Sequence, residues 1–325
     1  MSAADLRHRA PRSLGTLPCD FSAPERSWQA ASVGRQRIPA PLLVVLAIVS
    51  AQTGSAVART LFDELGVTGT ALLRLSIGGI VLLAVLRPSV RSWTRGQWSA
   101  AALLGIALAG MNVAFYHSLD LVPLGVAVTV EFTGPLLVAL VQTRRLLDFG
   151  FALLAAAGVV LLGLRATSGD VEALGLLLAF TAGLFWAAYI MASARVGRVL
   201  PGVDGLAVAF AIGAVLVLPF GASQASAVFD EPSLLIGASA VALLSSIIPY
   251  GLELVALRRM LTRVFGVLMS LEPAAAAVSG WIILGQRLGP TELVALVLVS
   301  LASVGITLTS RGSEEPEDRA VGPIG

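Results

Sequence analysis

Val130-Glu131-Phe132-Thr133-Gly134-Pro135 places a carboxylate, a hydroxyl, a glycine and a proline inside an otherwise apolar run. The flanks, Leu121 to Thr129 and Leu136 to Val141, carry no formal charge. Glu131 therefore stands about nine residues into a span of about twenty, and at ~1.5 Å rise per residue that is near the centre of a ~30 Å hydrocarbon layer. An unpaired charge at that depth costs several kcal/mol, so an intramembrane acid points to a functional site. Pro135 lacks a backbone N–H, which leaves the carbonyl of Glu131, four residues earlier, without its helical partner.

Composition supports the membrane reading. Of the 325 residues, 56% are hydrophobic and 13% charged, against ~25% charged for an average soluble chain. The apolar runs are continuous and lack the alternation of lipid-facing strands, which argues against a β-barrel. A net charge of +2 is too small to suggest a nucleic-acid partner. All 22 basic residues are arginine, so a lysine-bearing phosphate loop, and with it ATP-driven pumping by this chain, is excluded. Two histidines, His8 and His117, rule out a histidine-rich metal site, and the single Cys19 rules out an internal disulfide. No enzyme site is recognisable and no cofactor is expected.

Apolar runs at 39–57, 67–86, 97–117, 122–143, 147–164, 173–194, 203–220, 233–254, 262–283 and 290–310 read as ten helices. With the N terminus inside, Arg35, Arg37, Arg87, Arg91, Arg95, Arg144, Arg145, Arg195, Arg198, Arg258, Arg259, Arg263 and Arg311 flank the cytoplasmic ends, against Arg59, Arg165 and Arg287 on the other side. That bias places both termini in the cytoplasm. The expected organisation is a disordered tail over 1–38, five-helix repeats over 39–168 and 169–310, and a polar tail over 311–325. An offset of 141 residues sets Gly110 on Gly251, Asn112 on Glu253, Gly125 on Gly266 and Glu131 on Glu272. Because five is odd, the second copy inserts upside down, giving two inverted repeats around a midplane site.

The candidate site residues follow from depth and spacing. Arg74 lies inside the second span and faces either a carboxylate in a cavity or, by snorkelling, the outer interface. Asn112, Tyr116 and Asp120, spaced i, i+4, i+8, share one face and could line an aqueous path, although Asp120 is close enough to a loop to be simply solvated. His117 is read as an interfacial residue. Trp186 and Tyr189 suit either a pocket wall or helix packing. In the eighth span Pro249 frees the carbonyl of Ser245, and Tyr250 and Glu253 lie a turn apart, with a salt bridge to Arg258 or Arg259 competing for Glu253. Glu131 and Glu272 are acids that can load and release a proton, or else neutral acids that only pack. The runs Ala274–Ala277 and Ala155–Gly158 suit close helix packing.

Glu131-Phe132-Thr133-Gly134-Pro135, Ile248-Pro249-Tyr250-Gly251-Leu252-Glu253, Met269-Ser270-Leu271-Glu272-Pro273 and Leu284-Gly285 resemble the bacterial inner-membrane threonine/homoserine exporters, in the EamA-type branch of the drug/metabolite transporter superfamily. The resemblance runs from about residue 40 to 310. Gln286 departs from the glutamate usual after Leu-Gly. The resemblance implies a multi-pass secondary exporter in the bacterial inner membrane, working by alternating access on a small substrate such as an amino acid. In that reading Arg74 attracts the carboxylate, Glu131 with Glu272 takes the amine or a coupling proton, and Asn112, Tyr116, Trp186 and Tyr250 shape the pocket. A broad drug/metabolite exporter and a non-transporting scaffold are the alternatives. The oligomeric state is not legible.

Overall fold

The computed structural model describes residues 38–142, 146–167, 172–200 and 203–309. The expected tails, with Cys19, lie outside the described residues apart from Ile38, as do the side chains of Arg35, Arg37, Arg144, Arg145, Arg165 and Arg311.

Ten helices among the described residues are long and apolar enough to cross a bilayer. They are α1 (Ala40–Thr60), α2 (Val67–Leu86), α3 (Arg95–Leu121), α4 (Leu124–Gln142), α5 (Leu147–Leu164), α6 (Ala173–Val199), α7 (Asp204–Ala225), α8 (Ser233–Leu257), α9 (Thr262–Leu284) and α10 (Pro290–Thr309). The protein is an all-helical, multi-pass membrane protein. Large apolar side chains such as Leu153, Val215, Phe220 and Ile282 stand exposed on the outside of the bundle, where lipid replaces water.

Local chemistry sets the ends. Thr94 and Gln97 form a reciprocal capping box at the start of α3, each covering the other's backbone N–H. α3 runs to Leu121, beyond the expected stop near 117, because the polar stretch around His117 and Asp120 still helps pack neighbouring helices. α7 runs to Ala225, beyond the expected 220, with Pro219 inside it. A membrane helix tolerates such a proline when neighbours cover the freed carbonyl.

Contacts at the helix ends show the chain crossing back and forth. Gln97 at the start of α3 donates to the Val199 carbonyl at the end of α6, 2.8 Å away. On the opposite face, Arg59 at the end of α1 pairs with Asp120 at the end of α3, 3.2 Å apart. There the Leu124 N–H also donates to Oε1 of Gln286. The face where α1 begins is called the N-terminal face below, and the other the far face.

The helix pairing has an internal regularity. α2 packs on α7, α4 on α9 and α5 on α10, while α3 packs on α6 as α1 does on α8, and α4 on α6 as α1 does on α9. Exchanging each helix with the one five places later leaves this set unchanged.

Three helices are interrupted near mid-depth. α4 consists of Leu124–Glu131 and Thr133–Gln142. α8 passes through a widened turn at Leu243–Ile247, between Ser233–Ala242 and Ile248–Leu257. α9 consists of Thr262–Met269 and Glu272–Leu284. At the α4 break the freed Glu131 carbonyl lies against Gly183 of α6, where an added Cβ would stand 2.6 Å from that oxygen. Gly134 faces the Gly183 carbonyl in the same contact. Two glycines thus let backbones meet where Pro135 has removed a hydrogen bond.

Candidate functional site

The broken helices surround a cavity of about 390 Å³. At mid-depth Ser55, Arg74, Asn112 and Glu131 line it, and toward the N-terminal face Ala139, Glu253, Phe265 and Thr307 do. The far side is packed shut by a buried cluster that includes Phe62, Leu119, Val122, Leu124 and Val126. The cavity therefore belongs to one half of the membrane depth.

Arg74 is the best-held charge in the wall, with 8% of its surface exposed. Nη2 donates to the Ser245 carbonyl at 2.8 Å, Nε to Oγ of Ser246 at 3.0 Å, and Nη1 to the Tyr116 hydroxyl at 3.2 Å. The guanidinium also lies over the Tyr116 ring, 5.5 Å from its centroid. Pro249 is the reason Ser245 can serve: with no N–H at 249, the carbonyl four residues back is left for another donor. Two features singled out separately in the sequence are thus one contact. Snorkelling to the interface is not what Arg74 does. A guanidinium has five N–H donors, so two remain for a carboxylate.

Three carboxylates face this cation across the cavity. Glu131 lies in the field of Arg74, yet their charged atoms do not come within 4.0 Å. Glu272 lies in the field of both Glu131 and Glu253. Glu131 is the last residue of its half-helix and Glu272 the first of its own. The two acids thus flank the breaks of α4 and α9 from opposite sides in sequence.

The aromatic side chains form the rest of the wall. Trp186 packs edge-on against Phe132, with ring centroids 5.4 Å apart, and Tyr250 against Phe210 at 5.9 Å. Tyr189 lines the cavity with them. Glu253 faces the cavity and makes no ion pair with Arg258 or Arg259.

Eight of the nine expected site residues, Glu131, Glu272, Arg74, Asn112, Trp186, Tyr189, Tyr250 and Glu253, line this cavity. Tyr116 does not: it is fully buried and acts behind the wall by holding Arg74. The row Asn112, Tyr116, Asp120 is no continuous path. Its far end is the Arg59–Asp120 pair, with the Arg59 Nε also donating to the Leu119 carbonyl. His117 meets the Thr68 hydroxyl at 3.2 Å, outside the cavity. Gln52 and Ser55 of α1 and Ser303 and Thr307 of α10 line the cavity without having stood out in the sequence. Among the described residues no group of three or more His, Cys, Asp or Glu side chains could hold a metal ion.

Comparison with known proteins agrees with this architecture. Residues 173–308 match the EamA-like transporter family. The chain is 43% identical over 283 residues to the threonine/homoserine exporter RhtA of Salmonella typhimurium strain SL1344, covering 86% of this chain and 95% of that protein. It is 42% identical over 273 residues to the threonine/homoserine exporter RhtA of Escherichia coli strain K12, covering 83% and 92%. One solved crystal structure has the same fold, with a TM-score of 0.54 at 20% identity, over 83% of this chain and 96% of that one.

Proposed function

The chain belongs to the EamA-like transporter family, and from that premise we propose that it exports threonine, homoserine or related neutral amino acids across the bacterial inner membrane. The observation that carries the reading is Arg74: a buried guanidinium fixed on three sides, with donors to spare, at the deep end of a cavity closed on the far side. An α-carboxylate is the natural partner for such a fork. Glu131 and Glu272 line the same space and supply a place for a coupling proton.

The mechanism we assign is alternating access. With both termini in the cytoplasm, the cavity is the inward-facing one, loaded from the cell. Release requires the far-side cluster around Phe62 and Leu119 to part and the N-terminal face to close. The helix pairing, unchanged when helices five places apart are exchanged, supports two inverted five-helix repeats, 39–168 and 169–310, as the moving halves. The half-helix breaks at Phe132 and Ser270 lie where such halves meet and can hinge. Transport is driven by the proton gradient, with Glu131, a cavity-lining acid at the break in α4, as the proton carrier.

Cavity size weighs against a drug exporter. About 390 Å³ is near the lower end of the ~300–1,000 Å³ that pockets for drug-sized ligands span. One guanidinium and three carboxyl groups around that volume suit a zwitterion. The test is a competition panel on efflux of labelled threonine from proteoliposomes. Homoserine should compete and lipophilic cations should not; the opposite ranking would overturn the amino-acid reading.

A further inference from the structure

Two cavity-lining amides are unsatisfied. Oε1 of Gln52 and Oδ1 of Asn112 are buried and have no hydrogen-bond partner, with 6% and 2% of the residues exposed. A buried acceptor left unpaired is costly, so it is kept where something visits it. The orientation of Asn112 is fixed: its Nδ2 donates to the Leu108 carbonyl at 2.7 Å, which only an N–H can do, so the oxygen is the free end.

Both amides line the same cavity as Arg74. Asn112 lies one helical turn, about 5.4 Å, from Tyr116 along α3, and the Tyr116 hydroxyl accepts from Arg74. Gln52 is two residues from Gly54, where α1 comes so near α8 that an added Cβ would stand 2.7 Å from the Ser245 backbone nitrogen. Ser245 is the residue whose carbonyl anchors Arg74. The cavity wall therefore holds a cation with spare donors and two amide acceptors with no donor.

We propose that Gln52 and Asn112 form the subsite for the substrate's α-ammonium group, through Oε1 and Oδ1. An α-amino acid carries its carboxylate and ammonium on one carbon, so it spans the step from Arg74 to the amides. Neutral acceptors bind an ammonium without competing for its proton. That leaves the glutamates free to exchange a proton independently of the substrate amine. Selectivity follows: a 2-hydroxy acid, which keeps the carboxylate but replaces three N–H donors by one hydroxyl, binds more weakly. This assignment rests on the amino-acid export reading above.

The experiment uses the full chain in proteoliposomes and measures inhibition of labelled threonine flux by unlabelled threonine and by its 2-hydroxy acid analogue. Gln52→Met and Asn112→Leu keep the volume and remove the acceptor; Gln52→Glu keeps an acceptor. Losing one hydrogen bond to a charged donor should weaken threonine by roughly 10- to 100-fold while leaving the 2-hydroxy acid nearly unchanged. Gln52→Glu should retain the preference for the amine, which separates recognition from folding. Equal loss for both ligands, or no loss, overturns the subsite while leaving the exporter reading intact. Absence of threonine flux in the wild type overturns the exporter reading, and the subsite with it.

Discussion

Replacing Arg74 by methionine removes the charge and all five N–H donors, three of them in use, while roughly keeping the length of the side chain. The Ser245 carbonyl, the Ser246 hydroxyl and the Tyr116 hydroxyl each lose a partner. The hydroxyls can turn to other acceptors, but the carbonyl has no helical N–H to return to, because residue 249 is proline. A stranded buried carbonyl costs about 1–3 kcal/mol, partly offset because a guanidinium no longer has to be buried. The protein should therefore still fold, with a modest loss of thermal stability in detergent. Binding should suffer far more. Truncating one partner of a buried, hydrogen-bonded charge pair costs about 2–5 kcal/mol, or roughly 30- to 5,000-fold in affinity. Competition by threonine and by its carboxamide against labelled threonine isolates the effect. The wild type should prefer the carboxylate by that margin, Arg74→Lys should keep part of the preference, and Arg74→Met should lose it. A variant that folds and still prefers the carboxylate would refute the role of Arg74 as its dock.

Other perturbations probe different parts of the account. Gly183→Leu should prevent α4 and α6 from meeting at the freed Glu131 carbonyl, with overpacking of about 1–3 kcal/mol or more seen as a lowered melting temperature or lost expression. Asp120→Asn breaks only a partly exposed pair, with 28% and 41% of the two side chains accessible, so thermal unfolding should shift by less than about 1 kcal/mol. Trp186→Ala removes the edge-on partner of Phe132 and widens the wall, so inhibition assays should show bulkier neutral amino acids gaining relative to threonine.

The ten spans were legible because uncharged runs of about twenty residues have few alternatives in a chain this apolar. Arg74 and Glu131 were legible because a charge at mid-depth is expensive and therefore conspicuous. Pro249 announced the free Ser245 carbonyl by removing its donor, but not which donor would arrive, since Arg74 lies 171 residues away in the chain. Gln52 was not legible. In Ser50-Ala51-Gln52-Thr53-Gly54-Ser55 it looks like any small polar stretch that lets helices approach, and only the fold turns its amide toward the cavity. Ser303 and Thr307 escaped for the same reason, as hydroxyls able to satisfy themselves within their own helix: Thr307 donates to the Ser303 carbonyl at 2.8 Å. Tyr116 was placed on the correct face of α3, but helical periodicity does not distinguish a residue in the wall from one behind it.

In the proposed cycle this cavity carries a small amino acid outward in exchange for protons that pass through Glu131. Proteoliposomes that hold labelled threonine and the protein in one orientation, under an imposed pH gradient, decide between coupled and uncoupled efflux. Wild-type efflux should accelerate when the receiving side is the more acidic, and Glu131→Gln should retain threonine binding but lose that acceleration. Efflux that responds equally to the gradient in wild type and variant would contradict the claim.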